Sequence, residues 1–195
     1  MSDINLMWKQ KTKIIALFGE SGNGKDYWAD QITAHFPTTT QKIIQCTTRP
    51  PRDYEKDGVH YHFLTPETFG EKVLNGDMIE ATSFNDWFYG TTLSSLSKAK
   101  VNVGVYNPEA LLCLVDDPEI MLLPIYIYAS PKDRLLHTLT RCDRPDCHEI
   151  CRRYLADERD FAALEESLDD KSYQTFINYT ERSLLDEEYI KAWCS

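Results

Sequence analysis

An apolar segment, a glycine-rich loop and a segment with helical spacing follow one another near the start of the chain. Residues 13–18 are a lysine followed by five apolar residues, a pattern typical of a fully buried strand. The next residues, Gly19-Glu20-Ser21-Gly22-Asn23-Gly24-Lys25, fit the pattern GxxxxGK, and residues 26–33 have helical spacing before Pro37. Strand, loop and helix in this order are the context of a P-loop, so the chain is constrained to an α/β fold with a nucleotide phosphate site.

The loop predicts which residues contact the phosphates. Backbone amides and a lysine surround the β and γ phosphates in such a loop, and glycines let the backbone approach closely. Lys25 is expected to offset charge on the transferring phosphoryl group. We expect nucleotide contacts from Gly19, Glu20, Ser21, Gly22, Asn23, Gly24, Lys25 and Asp26.

Asp26 departs from the usual pattern, which has a serine or threonine here whose hydroxyl helps to bind Mg²⁺. A carboxylate can ligate the metal directly, but it also repels phosphate oxygens. Asp26 is therefore the candidate metal ligand of the sequence.

Strand and helix signals alternate along most of the chain. Strands are predicted at 13–18, 42–46, 59–64, 101–106, 121–128 and 176–177, with a hairpin at 78–90, and helices at 26–33, 65–74, 108–115, 131–141, from 147 onward and at 184–193. Alternation with buried apolar strands indicates an α/β fold of P-loop NTPase type, a parallel sheet flanked by helices. Residues 43–92 interrupt the alternation and predict an insert.

An arginine-rich segment, residues 47–63, lies in that insert. Arg49 and Arg52 flank Pro50-Pro51, which limits their conformational freedom, and guanidinium forks match phosphate oxygens bidentately. The alternative is a pair of surface arginines around a proline turn.

Residues 47–63 resemble the signature TTRxPRxxExxGxxYxF of guanylate kinases, and Glu80 and Tyr89-Gly90-Thr91 follow at the spacing of that family. The resemblance implies that Arg49, Arg52, Tyr61 and Tyr89 hold the phosphate of a nucleoside monophosphate, with Thr91 nearby. It also implies that Glu80 accepts hydrogen bonds from N1 and N2 of guanine. The tyrosines could instead be core aromatics, and Glu80 a solvent-facing strand residue.

The resemblance divides the chain into one domain, 1–195, with a core of residues 1–42, 93–140 and 155–195, a monophosphate-binding insert of about 43–92 and a lid of about 141–154. It implies that Arg141 and Arg153 of the lid reach the donor phosphates, with Arg144 and Arg152 as substitutes. A closed lid would exclude water, which competes as acceptor.

Two positions of the base-binding region depart from the family. Gln45 replaces a small serine that contacts the base, and an amide of that length can donate to O6 or N7. Residues 103–107 replace a strand that in the family ends with two aspartates, and Asn107 can mimic the first only as a neutral acceptor.

Charge limits the classes of partner. A net charge of −10 argues against general nucleic-acid binding, which depends on neutralising backbone phosphates. The acidic residues of the second half predict a solvated helical face: Asp157, Glu158, Asp160, Glu165, Glu166, Asp169 and Asp170. Residues 1–13 contain no sustained apolar stretch, so we expect no signal peptide, no membrane span and a cytoplasmic protein.

The six cysteines are expected to be free thiols in that compartment. Cys142, Cys147, His148 and Cys151, with His137 upstream, leave a zinc site as an alternative, although their spacing is poor for one.

Taken together, these signals predict a nucleoside monophosphate kinase that uses ATP and Mg²⁺ to phosphorylate GMP or dGMP. Two alternatives remain: a kinase for a modified purine nucleotide, suggested by Gln45 and Asn107, and a non-catalytic module of guanylate-kinase type that binds phosphorylated peptides. The sequence leaves the oligomeric state open, with a homodimer allowed.

Overall fold

The central sheet is built on the apolar run before the P-loop. The computed structural model describes residues 11–84, 86–141, 143–167, 174–177 and 187–194. Strand β1 (Thr12–Phe18) lies between β7 (Val101–Val105) and β8 (Ile120–Tyr128), with β2 (Thr40–Lys42) and β9 (Gln174–Ile177) outside them. All pairings in the order β2-β7-β1-β8-β9 are parallel. The predicted fold class is confirmed.

Successive side chains of β1 belong alternately to two apolar clusters. Ile14, Ala16 and Phe18 belong to one cluster, and Ile15 and Leu17 to the other. All five side chains are buried, as expected for a parallel strand with helices on both faces.

The helices follow the strands, and side chains cap several of them. Thr65, Asn107 and Ser130 each accept a hydrogen bond from a backbone amide of the first turn that follows. The helices are α1 (Lys25–His35), α2 (Pro66–Leu74), α3 (Pro108–Val115), α4 (Pro131–Leu139), α5 (Cys147–Ser167) and α6 (Glu187–Cys194).

A second, smaller sheet carries the arginine-rich segment. It contains β3 (Cys46–Thr47), β4 (His62–Phe63), β5 (Met78–Phe84) and β6 (Trp87–Thr92) in the order β4-β3-β6-β5. The arginine segment connects β3 to β4, and Glu80 lies on β5. The arginine-rich segment, a candidate phosphate site, and Glu80, a candidate base contact, therefore belong to the same small sheet.

Most predicted elements are present, but two predicted strands are wrong. The strand predicted at 42–46 is divided, because β2 ends at Lys42 in the central sheet and β3 begins at Cys46 in the second. The strand predicted at 59–64 is reduced to His62–Phe63. It follows a turn at Gly58, whose φ is 71° and whose amide donates to the carbonyl of Tyr61. Part of the last predicted helix, 184–186, lies outside the described residues.

Within the described ranges, no helix combines the length and apolar character needed to cross a bilayer.

Cys46, Cys113, Cys147 and Cys151 are free thiols. No group of three or more histidine, cysteine or acidic residues among the described positions could hold a metal ion. Cys142 of the zinc alternative lies outside those positions.

Candidate nucleotide site

Three glycines of the P-loop adopt left-handed or related backbone conformations. The φ angles of Gly19, Gly22 and Gly24 are 138°, 84° and 89°, which other residues rarely adopt. A Cβ atom on Gly22 would also lie 2.5 Å from the carbonyl oxygen of Arg134. The turn and the packing of α4 against it both require glycine at position 22.

Lys25 lies at the start of α1 and points back across the loop. Its Nζ atom donates to the carbonyl oxygens of Gly19 at 2.6 Å and Glu20 at 2.8 Å, and to Oδ1 of Asn23 at 3.2 Å. Burial lowers the pKa of Lys25, against the opposing effect of nearby acids, the largest of which comes from Asp26. The ammonium group is thus in the centre of the loop, where phosphate oxygens could replace the carbonyls as its partners.

Arg134 on α4 joins the P-loop to α5. Its side chain is 5% exposed, and its NH2 atom lies 3.0 Å from Oδ2 of Asp157. Its Nε atom donates to the carbonyl of Ser21 at 3.1 Å, and its NH1 atom lies 3.4 Å from Oε1 of Glu20. The guanidinium carbon also lies 4.8 Å from the ring centroid of Tyr154. One buried arginine therefore contacts two residues of the loop and two of α5.

Asp157 corrects one prediction from the sequence. It was expected on a solvated face, but it is 6% exposed, and its Oδ2 atom accepts from the backbone amide of Ser21 at 2.8 Å. A buried carboxylate requires such partners. Glu158 and Asp160 are exposed as predicted, while Glu165, Glu166, Asp169 and Asp170 lie among positions whose side chains are not described.

The second candidate anion site is organised by Glu55. Arg49 is 6% exposed, and its NH2 atom lies 2.8 Å from Oε1 of Glu55. The other oxygen of Glu55 accepts from the backbone amide of Arg52 at 2.8 Å. Burial raises the pKa of Glu55, but the hydrogen bond from Arg49 and further contacts outweigh it, so the pKa falls below its ordinary value. Glu55 therefore fixes both arginines of the segment in one arrangement.

Aromatic rings cover the Arg49 guanidinium. Its central carbon lies 5.6 Å from the ring centroid of Tyr61 and 5.9 Å from that of Phe63. Tyr61 meets Tyr89 edge to face at 6.2 Å. Burial, and then the charge of Asp26, raises the pKa of Tyr61. Arg49, Tyr61 and Tyr89 are thus neighbours, and the charge of Asp26, in the first turn after the P-loop, affects Tyr61.

The base-type candidates form a separate polar cluster. Thr91 on β6 donates from Oγ1 to Oε1 of Glu80 at 2.6 Å and accepts from Nε2 of Gln45 at 3.2 Å. Burial raises the pKa of Glu80 to about 7, although the hydrogen bonds from Thr91 oppose this. Asn107 caps α3 and donates from Nδ2 to Oγ1 of Thr82 at 3.1 Å. Glu80 is 5% exposed, so its surroundings differ from the solvent-facing alternative.

Two of the predicted lid arginines contact an acid of their own helix. Arg153 donates from Nε to Oε1 of Glu149 at 2.6 Å on its own helix, and Arg152 donates to the same carboxylate. These contacts lower the pKa of Glu149 to about 2. The guanidinium carbon of Arg141 lies 5.4 Å from the ring centroid of Tyr54 in the arginine-rich segment.

Arg134 contacts the P-loop from this side together with Asp157 and His137, and no role was assigned to it from the sequence. Its signal was an arginine one turn after the start of a helix that follows the buried strand β8. Glu55 is the glutamate of the signature TTRxPRxxExxGxxYxF, but no role was assigned to it from the sequence.

The order of the parallel sheet, the loop after β1 and the lysine at the start of α1 define the class: a P-loop NTPase fold with a second, smaller sheet between β2 and β7. Residues 11–107 match the sequence profile of a family described as guanylate kinase. The chain belongs to the guanylate kinase family.

Individual relatives agree with this assignment. The chain is 37% identical over 89 residues to a guanylate kinase of Malacoplasma penetrans, which covers 46% of this chain and 45% of the relative. It is 26% identical over 189 residues to a guanylate kinase of Chlamydia abortus, covering 89% and 91%. A crystal structure of guanylate kinase from Anaplasma phagocytophilum has a TM-score of 0.60 at 18% identity, covering 95% of this chain and 84% of that one. The chain thus spans less than half the length of the first of these relatives.

Proposed function

We propose that this protein transfers the γ-phosphoryl group of ATP to GMP or dGMP, giving GDP or dGDP. The observation that carries the proposal is that the chain combines two candidate anion sites: the P-loop with Lys25, and the cluster of Arg49, Tyr61 and Tyr89. Asp26, the residue after Lys25, is close enough to Tyr61 to affect its pKa. A donor and an acceptor phosphate bound at these sites would therefore be neighbours.

The residues support transfer by positioning and charge, without a covalent intermediate. Arg49 would hold the acceptor phosphate with its guanidinium fork, while Glu55 keeps that fork in place. Lys25 would exchange its contacts with the loop carbonyls for phosphate oxygens and offset the negative charge that develops there. Arg134 would keep the loop in the shape that presents its amides.

Among the described residues, Asp26 is the candidate ligand for Mg²⁺. The ion is usually held by one or two carboxylates together with substrate phosphates, and Asp26 is an exposed carboxylate beside Lys25. Asp26 would hold the ion, which supplies charge neutralisation at the phosphates when bound. The proposal assigns the protein to the cytoplasm, with nucleotides as its partners.

A modified purine remains the second candidate because of the base cluster. Gln45 and Asn107 are both engaged with threonines, Thr91 and Thr82, on the inserted sheet. This arrangement supports a role for the two amides in the choice of base. The non-catalytic module has no comparable support, because the P-loop has its three glycines in the required conformations and its lysine in the loop centre.

A substrate panel tests the proposal. ATP and Mg²⁺ are incubated with GMP, dGMP, 7-substituted guanine monophosphates, AMP, CMP and UMP, and nucleoside diphosphate formation is measured. We expect the guanine nucleotides to be phosphorylated at least about a hundredfold faster than AMP. Preference for a 7-substituted guanine would favour the second candidate, and phosphorylation of none would exclude both.

A further inference from the structure

Tyr54 is an exposed aromatic residue that contacts two arginines from different parts of the chain. It is 46% exposed. Its hydroxyl accepts a hydrogen bond from NH1 of Arg52 at 3.1 Å, and the guanidinium carbon of Arg141 lies 5.4 Å from the centroid of its ring. Arg52 belongs to the arginine-rich segment, whereas Arg141 follows α4. Tyr54 therefore holds two cations from distant segments on one side chain.

The turn that carries Tyr54 is fixed by hydrogen bonds and by a ring contact. The backbone amide of Glu55 donates to the carbonyl of Arg52 at 2.9 Å, and the Glu55 carboxylate accepts from the amide of Arg52 at 2.8 Å. The Tyr54 ring meets the ring of His60 edge to face at 6.2 Å, and Nδ1 of His60 accepts from the amide of Lys56 at 3.1 Å. The position of the ring is therefore defined although the ring is exposed.

The arginines of this region differ in how many of their N–H groups the protein occupies. Arg49 is 6% exposed, and its NH1 and NH2 atoms donate to the carbonyl of Pro50 at 2.7 Å and to Glu55 at 2.8 Å. Arg141 is exposed, and a guanidinium that lies over an aromatic ring keeps its outward-pointing N–H groups available. Arg141 therefore offers an added anion more available donors than Arg49 does.

The charge balance also favours an anion beside Arg141. Arg49 and Arg52 both contact Glu55, with N–O distances of 2.8 and 3.6 Å, so these three groups together carry one net positive charge. A phosphate monoester carries roughly 1.5 to 2 negative charges at pH 7. The guanidinium of Arg141 supplies the second positive charge that such a phosphate requires.

We propose that Tyr54 is a positioning residue, which holds Arg141 beside Arg52 so that Arg141 binds the phosphate of the acceptor nucleotide. The inference rests on the proposed function, since it takes the arginine-rich segment to bind a nucleoside monophosphate. It differs from the role that the family resemblance implies for Arg141, which is contact with the donor phosphates. The two accounts therefore predict effects on different nucleotides.

The first experiment measures dissociation constants by titration calorimetry, separately for GMP and for the non-hydrolysable imido analogue of ATP. Wild-type protein is compared with Arg141→Ala and with Arg159→Ala, a control at an exposed arginine of α5. Loss of a charged hydrogen-bonding group should weaken GMP about tenfold, with the affinity for the ATP analogue changed less than about twofold. Arg159→Ala should change neither affinity.

The role of Tyr54 is tested with a double-mutant cycle. A cation–π contact at an exposed site corresponds to roughly two- to fivefold in an equilibrium constant, so Tyr54→Ala should weaken GMP by about that factor. The same substitution should have no effect in the Arg141→Ala background. Tyr54→Phe keeps the ring and should bind GMP as the wild-type protein does. The melting temperatures should be unchanged, because the substituted side chains are exposed.

Weakening of the ATP analogue alone, equal weakening of both nucleotides or no effect of Arg141→Ala would overturn the inference, as would additive effects in the cycle. Turnover of the wild-type protein is measured separately with ATP, GMP and Mg²⁺. If GMP binding depends on Arg141 and Tyr54 as expected but no GDP forms, the inference stands and the proposed kinase activity fails. If GDP forms but only binding of the ATP analogue depends on Arg141, the activity stands and the inference fails.

Discussion

At the scale of single residues, Arg49 and Glu80 have different surroundings that predict different roles. Arg49 is held by Glu55 under two aromatic rings, whereas Glu80 is in a neutral, largely buried cluster with Thr91 and Gln45. A fixed cation recognises a phosphate whatever base is attached. A buried carboxyl group distinguishes bases by their N–H donors.

Arg49→Ala should therefore weaken every monophosphate acceptor by a similar factor. A charged hydrogen-bonding group contributes roughly 1.5–3 kcal/mol, so we expect KM for GMP, dGMP and IMP to rise roughly 10- to 100-fold together. The measurement is steady-state kinetics, with Arg159→Ala as the control at an exposed arginine. Because Arg49→Ala removes the nearest cation from the buried carboxylate of Glu55, Arg49→Lys is measured as well. An effect confined to one base would contradict the phosphate role.

Glu80 predicts a pH dependence of stability. Its pKa is raised from 4.5 to about 7 in the folded protein, so between these values the unfolded chain has lost a proton that the folded chain keeps. The unfolded state binds fewer protons there, and the free energy of unfolding falls as pH rises through this window. The total change is on the order of 3 kcal/mol, at 1.36 kcal/mol per pKa unit.

Glu80→Gln removes this titration and leaves the other groups in place. Urea unfolding at pH 4.5, 5.5, 6.5 and 7.5 should show that the wild-type advantage over the variant shrinks up to pH 7 and is constant above it. A difference independent of pH would show that Glu80 titrates normally.

At the scale of elements, the P-loop is stabilised by the helices after β8. Arg134 on α4 and Asp157 on α5 are in contact, and both contact the loop. Removing one partner of a buried ion pair leaves an uncompensated charge. The geometry of the loop thus depends on two helices that come more than a hundred residues later.

Arg134→Leu should lower the free energy of unfolding by about 3–5 kcal/mol, because Asp157 and Glu20 lose their buried cation. Urea denaturation measures the change, and Arg159→Leu is the matched exposed control. The double variant Arg134→Leu/Asp157→Leu should recover part of the loss. A single-variant effect below about 0.5 kcal/mol, the range of surface substitutions, would show that the cluster does not support the loop.

At the scale of the whole molecule, the sequence predicted the parts of the fold that local patterns encode. β1, the P-loop, α1 and α3 follow from apolar runs, glycines and capping residues that are adjacent in sequence. Local patterns did not predict that the 42–46 strand is divided between two sheets, because this division depends on the strands that pair with each part. The contact of Ser21 with Asp157 spans 136 residues, and it exists because β8 lies beside β1 in the sheet.

Contacts within the candidate site likewise depend on the pairing of strands that are distant in sequence. Arg49, Tyr61 and Tyr89 are neighbours because β3 pairs with both β4 and β6. Arg134 was not assigned a role from the sequence, because its partners Ser21 and Asp157 come from other segments. Glu55 contacts Arg49 within its own segment, but their pairing depends on the turn between them. The roles of Arg141 and Arg153 stay predictions, as does the division into core, insert and lid.

The central claim is that a phosphoryl group passes between the two anion sites of this chain. The direct measurement follows radiolabel from γ-labelled ATP after incubation with GMP and Mg²⁺, with wild-type protein and Lys25→Ala in parallel. The account predicts label in GDP with the wild-type protein and loss of at least about 99% of that rate in Lys25→Ala, since the loop lysine offsets the charge of the transferring group. Label that appears only in inorganic phosphate, or equal GDP formation by the two proteins, would contradict it.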